Sequence, residues 1–508
     1  MKHSQEEKSY SEVVRSSMII GGSQGISYLI RILQVKIVAI LLGPTGVGLL
    51  GLFRSALDLV KTVSGLGVNQ SGVRNVAEAR SRDDATQIAK TVKVLRRVCW
   101  LTGFFGIILS VLLAKPISQW VFSSDKYAFS IGLLGIAVLF YAVSAGQLAL
   151  LRGLRRLKEL AKYSIISAVL NLVVSAILYF TLGRDGIIPA LTAGAFSNLL
   201  ISWLSVREIQ VEPISITWFE TFEQSKSLLS LGLTFMWGAS LATVVALVLR
   251  GAVTRDFGLG NVGIYQAAWG LSGMFATFLI QAMSADFFPR LTGVADKHEK
   301  VNQFVVEQME IGILFALPGF LLTIVFAPFL LVLMYSREFV QGAELLNWFT
   351  VGISIRVIGW PIGMIQRAKG AVKWIMFSST WGHGCNLGCS LLFMSFMGLK
   401  GIGVGFVVFQ LIQLVIGYLI GRRLTGFHWS REVMKLVGLS VLSLLICLGS
   451  LYYLSDIYGR VVGSLFAIVI GVFCLRELVA RLGEDHKLVK QLFKLPFTRR
   501  LCSVRESV

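Results

Sequence analysis

The chain has 508 residues, 55% of them hydrophobic and only 15% charged, with a mean hydropathy of +0.72. An ordinary soluble enzyme is excluded, because a water-exposed surface needs about a quarter of its residues charged. The 48 Lys and Arg against 28 Asp and Glu leave a formal charge of +20; a soluble chain with this excess would suggest nucleic acid, but in an apolar one it is first a matter of membrane topology, and no nucleic-acid partner is expected.

A bilayer core needs roughly 20 apolar residues per crossing. Runs of that length, bounded by charges or turn residues, occur fourteen times: at about 15–42, 46–67, 98–118, 128–150, 163–182, 186–206, 228–250, 261–284, 309–335, 343–365, 374–398, 401–421, 435–455 and 460–477. Arg31 and Lys36 interrupt the first run and no small-residue cleavage site follows a clean core, so it reads as a retained span rather than a secretory signal. With a cytoplasmic N-terminus, the cytoplasmic loops collect about 35 Lys and Arg, the opposite loops about 8, and the spans about 5, which the positive-inside rule requires of a protein with both termini in the cytoplasm. Outer connections such as Gly43-Pro44-Thr45 and Gly183-Arg184-Asp185 leave no room for an extracytoplasmic domain, so function is expected between the helices.

An offset of about 215 residues recurs along the chain. It pairs Gly46-Val47-Gly48 with Asn261-Val262-Gly263, Asn171-Leu172 and Ser175 with Asn386-Leu387 and Ser390, and Gly186-Ile187 with Gly401-Ile402. With a shift of two or three residues, Lys115-Pro116 through Ser123 also resembles Ala327-Pro328 through Ser336. Six spans per repeat return the chain to the same side, so the expectation is an all-α polytopic protein of two parallel six-helix lobes, related by a pseudo-twofold axis along the membrane normal, with two additional C-terminal helices. The expected divisions are a cytoplasmic N-terminus at 1–14, a first lobe at 15–206, an interlobe cytoplasmic loop at 207–227, a second lobe at 228–425, the extra pair at 434–477, and a basic cytoplasmic tail at 478–508. That tail reads either as an amphipathic helix on the anionic inner leaflet or as a solvated segment.

The repeat does not preserve charge. The first lobe carries Arg31 and Lys36 in span 1 and Arg54, Asp58 and Lys61 in span 2, whereas the second has mainly Arg250 near a helix end and Arg356 in span 10. Each such group costs roughly 2.5–3.5 kcal/mol at a helix centre, so these side chains are expected in a wet cavity rather than against lipid. Spacings of four and three put Arg54, Asp58 and Lys61 on one helical face, where Asp58 neutralises one neighbour only. A net positive cavity selects an anion, and arginine suits phosphate through its bidentate fork. Other readings stay open: Arg54 and Asp58 as a structural pair, Lys36 snorkelling, Lys61 reaching the inner interface, Arg250 as an interfacial anchor. Gln266, Trp269 and Gln281 in span 8 are candidates to face sugars or, alternatively, to pack between helices.

No phosphate-cradling loop, zinc motif or nucleophile elbow is present, so neither a cofactor nor a catalytic residue is expected. Asp83-Asp84 lies in a basic loop, and His383, Cys385 and Cys389 lack a nearby carboxylate or second histidine; neither group suggests a metal site. A membrane glycosyltransferase would call for clustered acidic residues at a membrane face.

The stretch Leu41 to Arg80, LLGPTGVGLLGLFRSALDLVKTVSGLGVNQSGVRNVAEAR, resembles the start of the Wzx-type O-antigen and enterobacterial-common-antigen translocases of the multidrug/oligosaccharidyl-lipid/polysaccharide (MOP) exporter superfamily. Asn261 to Lys297 and the turn Gln366-Arg367-Ala368-Lys369-Gly370 are similar as well, and the resemblance covers roughly residues 10 to 425. It implies flipping of an undecaprenyl-pyrophosphate-linked oligosaccharide across the bacterial inner membrane, with Arg31 and Arg54 as pyrophosphate contacts and Lys36 and Lys61 in support. With no ATP module in the sequence, an ion gradient (H+ or Na+) or the membrane potential is the expected drive, and a polysaccharide polymerase complex is a candidate partner. Many translocases of this type have twelve spans; fourteen is similar to the lipid II flippases, which stand with the drug or cation antiporters of the same fold as alternatives.

Overall fold

The computed structural model describes residues 2–82, 84–209 and 214–482. The expected basic tail therefore lies, beyond Leu482, outside the described residues, as does Asp83. Fifteen α-helices and three short 3-10 turns make up the described chain, and no strand occurs among the described residues. In order, these are α1 (Lys2–Ser64), α2 (Val68–Ser81), α3 (Ala85–Phe122), α4 (Ala128–Gly153), α5 (Leu157–Leu182), α6 (Ile187–Val206), α7 (Trp218–Phe257), α8 (Leu259–Gly293), α9 (His298–Val325), α10 (Ala327–Met334), α11 (Ala343–Ala368), α12 (Val372–Met397), α13 (Leu399–Thr425), α14 (Arg431–Tyr453) and α15 (Asp456–Leu482).

Helix is the only local choice for such segments, because backbone amides in hydrocarbon must be satisfied within their own segment. Ten helical stretches are long and apolar enough to cross a membrane, or eleven with the bent α8. Two of the ten, Gly21–Ser64 with 44 residues and Leu157–Val206 with 50, are about twice the length one crossing needs. The first is broken at Gly43, whose φ of 63° is followed by Pro44, which has no amide to donate. The second is broken by the 3-10 turn Gly183–Gly186. Helix α12 falls short on hydropathy, diluted by His383, Asn386 and three glycines. Fourteen crossings follow if each broken stretch crosses twice and α8 and α12 once.

The internal repeat is visible in backbone geometry. Helices α4 and α11 are each 26 residues, as are α5 and α12, and both pairs start and stop at the same offset. The turn after α4 puts Arg155 at φ 52°, and its counterpart Gly370 has φ 61°. The same amides close both turns, Arg156 on Leu151 O and Ala371 on Gln366 O, each at 2.9 Å. The α5–α6 and α12–α13 turns match too, with φ 57° at Gly183 and 67° at Gly398.

Two compact units are distinguished: Met1–Gly263 with Met334–Glu338, and Ile264–Leu333 with Phe339–Val508. The first takes in α7, which packs against α1, α2 and α3, although the expected lobe boundary fell before it. Its helix start is a capping box in which Thr217 and Glu220 satisfy each other's backbone amides, and the Thr217 amide holds the Glu220 carboxyl below the usual carboxylate range. Within this unit the second half of α1 meets the start of α8 with no room for side chains. A Cβ on Gly48 would lie 2.2 Å from Leu259 O, and one on Gly263 would lie 1.9 Å from Pro44 O. These two contacts exchange equivalent partners of the repeat.

In the second unit α14 and α15 dock on α9 through a core that includes Ile313, Leu317, Leu321, Val433, Leu444, Cys447, Ile470 and Cys474. At one end Arg481 pairs with Glu310 and lies 3.8 Å from Glu432 and 3.7 Å from Glu477. Arg481 and Glu310 are mostly buried, so losing one partner strands the other. Arg481→Met is therefore expected to lower stability by about 1–3 kcal/mol, with Glu310→Gln/Arg481→Met recovering part of it; thermal melting of the two variants in detergent measures the difference.

Candidate functional site

The first half of α1 is fixed to α5 by a line of polar contacts. Ser27 and Ser164 hydroxyls are 2.8 Å apart, and the Gln34 amide donates to Ser175 Oγ at 3.0 Å and Asn171 O at 3.4 Å. Asn171 in turn donates to Asn198 Oδ1 of α6 at 3.2 Å. Gln34, Asn171 and Ser175 thus set the rotation of α1, and with it the direction in which Arg31 leaves the helix.

Arg31 is exposed, its guanidinium 6.0 Å from the Tyr28 ring, and it lies within electrostatic reach of Tyr163. Lys61 Nζ sits 5.2 Å from the centroid of the Tyr141 ring of α4. Lys61 Nζ is 2.5 Å from Asp58 Oδ1, so the carboxylate of span 2 pairs with Lys61. The spacing alone left Arg54 as an equally good partner. Lys61 thus has Asp58 of its own helix and Tyr141 of α4 beside it, while Arg31 has Tyr28 of its own helix.

Arg54, one turn away along α1 and exposed, lies within reach of two other tyrosines, Tyr179 of α5 and Tyr335. Lys36 is half-buried. Gly43, at the break of α1, is near Glu338, whose Oε2 would be 3.3 Å from a Cβ there. Arg250 is half-buried in α7, and its guanidinium donates to Ala246 O of its own helix at 3.0 Å. In the first unit Arg31, Arg54 and Lys61 all lie on α1, while the Arg250 guanidinium bonds back onto α7.

In the second unit Arg356 lies near Arg367 of its own helix and His383 of α12. The repeat places Arg356 opposite Tyr141, so this cation occupies the position that an aromatic ring holds in the first unit. Trp269 occupies the position of Arg54, and its ring is engaged edge-on by Phe349 and Phe406 at 5.2 and 5.1 Å. Gln266 is half-buried and Gln281 exposed. Cys385 and Cys389 sulfurs are 3.8 Å apart, and among the described residues no three His, Cys, Asp or Glu side chains converge as a metal site would need. The four tyrosines went unnoticed in the sequence; comparing span 4 with span 10, where Arg356 stands out, would have marked Tyr141.

Long apolar helices in two copies of one topology, with charge gathered inside one copy, define a multi-pass, all-helical membrane protein. Residues 13–294 match the family described as polysaccharide biosynthesis protein, and residues 189–471 match that of the lipid II flippase MurJ. The chain belongs to the polysaccharide biosynthesis protein family. It is 22% identical over 350 residues to the lipid III flippase of Escherichia coli (strain K12), covering 68% of this chain and 82% of that protein. The fold is similar to an inward-facing multidrug resistance MATE family transporter (TM-score 0.68, 16% identity, 81% of this chain and 96% of that one). It is similar also to the lipid II flippase MurJ in an inward closed conformation (TM-score 0.66, 13% identity, 92% and 99%).

The Asn171–Asn198 bond should couple energetically. In a double-mutant cycle with Asn171→Ala and Asn198→Ala, the expected interaction energy is about 0.5–1.5 kcal/mol, read from melting curves in detergent; strict additivity would mean that the two amides act separately.

Proposed function

We propose that the protein flips an undecaprenyl-pyrophosphate-linked oligosaccharide, the repeat unit of O-antigen or a related polysaccharide, across the inner membrane by alternating access. The observation that carries this reading is the run of cations along α1, Arg31, Lys36, Arg54 and Lys61, with Lys61 over the Tyr141 ring and Arg54 within electrostatic range of Tyr179 and Tyr335. Arg31, Lys36, Arg54 and Lys61 outnumber Asp58, so the surface favours an anion, and guanidinium forks fit a pyrophosphate. The tyrosine hydroxyls and rings beside them suit the first sugar, with Gln266 and Gln281 as further sugar contacts and Arg356 and Arg250 as secondary cations. Trp269 is already enclosed by two phenyl rings, which supports packing as its main part.

The basic loops favour both termini in the cytoplasm, and the proposal takes fourteen crossings and lobes at 15–206 and 228–425. The polyprenyl tail stays in the bilayer, and the described chain suggests no catalytic step. Coupling to H+ or Na+ and association with a polysaccharide polymerase complete the proposal. The lipid II flippase reading is the second one, favoured by the match of residues 189–471 to MurJ. A drug or cation antiporter would want acidic residues where this chain has Arg31 and Arg54.

Transport of a fluorescent undecaprenyl-pyrophosphate oligosaccharide into proteoliposomes tests the assignment. Arg31→Ala and Arg54→Ala should each slow it about tenfold or more without loss of membrane insertion, and Lys replacements should recover only part, because a point charge replaces a bidentate fork. Wild-type rates in both alanine variants would overturn it. Lipid II offered as competitor separates the two flippase readings. Asp58→Asn frees Lys61: a protein that folds but loses ion dependence marks Asp58 as the coupling group, whereas one that fails to accumulate marks a structural pair.

A further inference from the structure

The first unit carries a second candidate site, away from the α1 cations. Helices α3 and α6 both pack on α4 and leave between them a groove of about 630 Å³. Its floor is Val143, Gly146 and Gln147 of α4, where Gln147 accepts a hydrogen bond from the Ser202 hydroxyl of α6. The apolar wall on the α6 side includes Phe196, Leu200 and Trp203, and Trp100 stands on the α3 side. These four are 42–51% exposed, as expected of side chains that meet acyl chains rather than a protein core. Two arginines close the groove at one end only: Arg96, in the turn of α3 before Trp100, and Arg207, at the end of α6, its guanidinium 5.8 Å from the Trp203 ring.

We propose that this groove holds an anionic diacyl phospholipid of the leaflet on the basic side of the protein, its phosphate between Arg96 and Arg207 and one acyl chain along Trp203, Leu200 and Phe196. The charge pattern selects the occupant. A neutral amphiphile gains nothing from two guanidiniums, and a soluble anion has no use for a wall of phenyl, indole and leucine side chains running away from them. Indoles beside the cations are the side chains that settle at the headgroup level. Orientation is the one element shared with the proposed function, since the basic end must face an anionic leaflet.

Native mass spectrometry of the purified full chain, titrated separately with dioleoyl-phosphatidylglycerol, dioleoyl-phosphatidylcholine and undecaprenyl phosphate, tests the site. Phosphatidylglycerol should be retained more tightly than phosphatidylcholine, and Arg96→Gln/Arg207→Gln should weaken it about tenfold while leaving phosphatidylcholine unchanged. Leu200→Trp, at an exposed position where folding is not at stake, should give a similar loss by filling the groove without altering charge. Arg422→Gln/Arg423→Gln, at the end of α13, is the control for general attraction and should leave retention unchanged. Equal retention of the two phospholipids, an equal loss in the control, or no effect of Leu200→Trp would each overturn the proposal, and stronger binding of undecaprenyl phosphate than phosphatidylglycerol would assign the groove to the carrier lipid instead. None of these readouts depends on transport, so a failure here is distinct from a failure of the flippase reading.

Discussion

Hydrocarbon offers no partner for a free amide, and this constraint governs where the chain can turn and where charge can go. The reversals after α4 and α5 are short, and their counterparts after α11 and α12 reuse the same solution. After α4 and α11 a left-handed residue, Arg155 or Gly370, lets the following amide close back on the preceding helix. After α5 and α12 the residue is glycine both times, Gly183 and Gly398. The energetic reason for the repeat is thus local: once a turn satisfies its backbone, a duplicated copy inherits it.

Charge obeys the same rule with the opposite result. An isolated cation in a span is expensive, and the first unit gives two of its cations a ring or a carboxylate as company. In the first unit Lys61 has both Asp58 and the Tyr141 ring, and Arg31 has Tyr28 and, farther off, Tyr163. In the second unit the positions matching Arg54, Asp58 and Lys61 are Trp269, Gly273 and Ala276, which need no such company. Two copies of one scaffold therefore carry different side chains at matching positions: cations and a carboxylate in one, and an aromatic packing cluster around Trp269, Phe349 and Phe406 in the other. The additional pair α14 and α15 adds apolar area to α9 and ends on the Arg481–Glu310 pair.

How much of this was legible beforehand follows from the range of each interaction. Apolar runs, the basic loops, the repeat offset and the glycine-marked turns depend on residues within a few positions of each other, so α4, α5, α11 and α12 could be placed to within a few residues. The location of the cations on α1 was equally plain. Their partners were not: Asp58 stood four residues from Arg54 and three from Lys61, and spacing gave no preference between them. Tyr141, Tyr163, Tyr179 and Tyr335 are scattered over the sequence and look like ordinary aromatic residues of a membrane helix.

By itself the sequence determined an all-helical membrane protein built from a duplicated unit, with its charge concentrated in one copy, because hydropathy, turn chemistry and periodicity are written in short stretches of chain. Only the tertiary structure decided that Lys61 sits over the Tyr141 ring, that α7 packs with the first helices, and that α3 and α6 stand apart over α4 with Arg96 and Arg207 at one end of the gap. These depend on how helices distant in sequence are rotated and spaced against one another. That is fixed by contacts such as Gln34 with Ser175 and Gly48 with Gly263, whose partners lie more than a hundred residues apart.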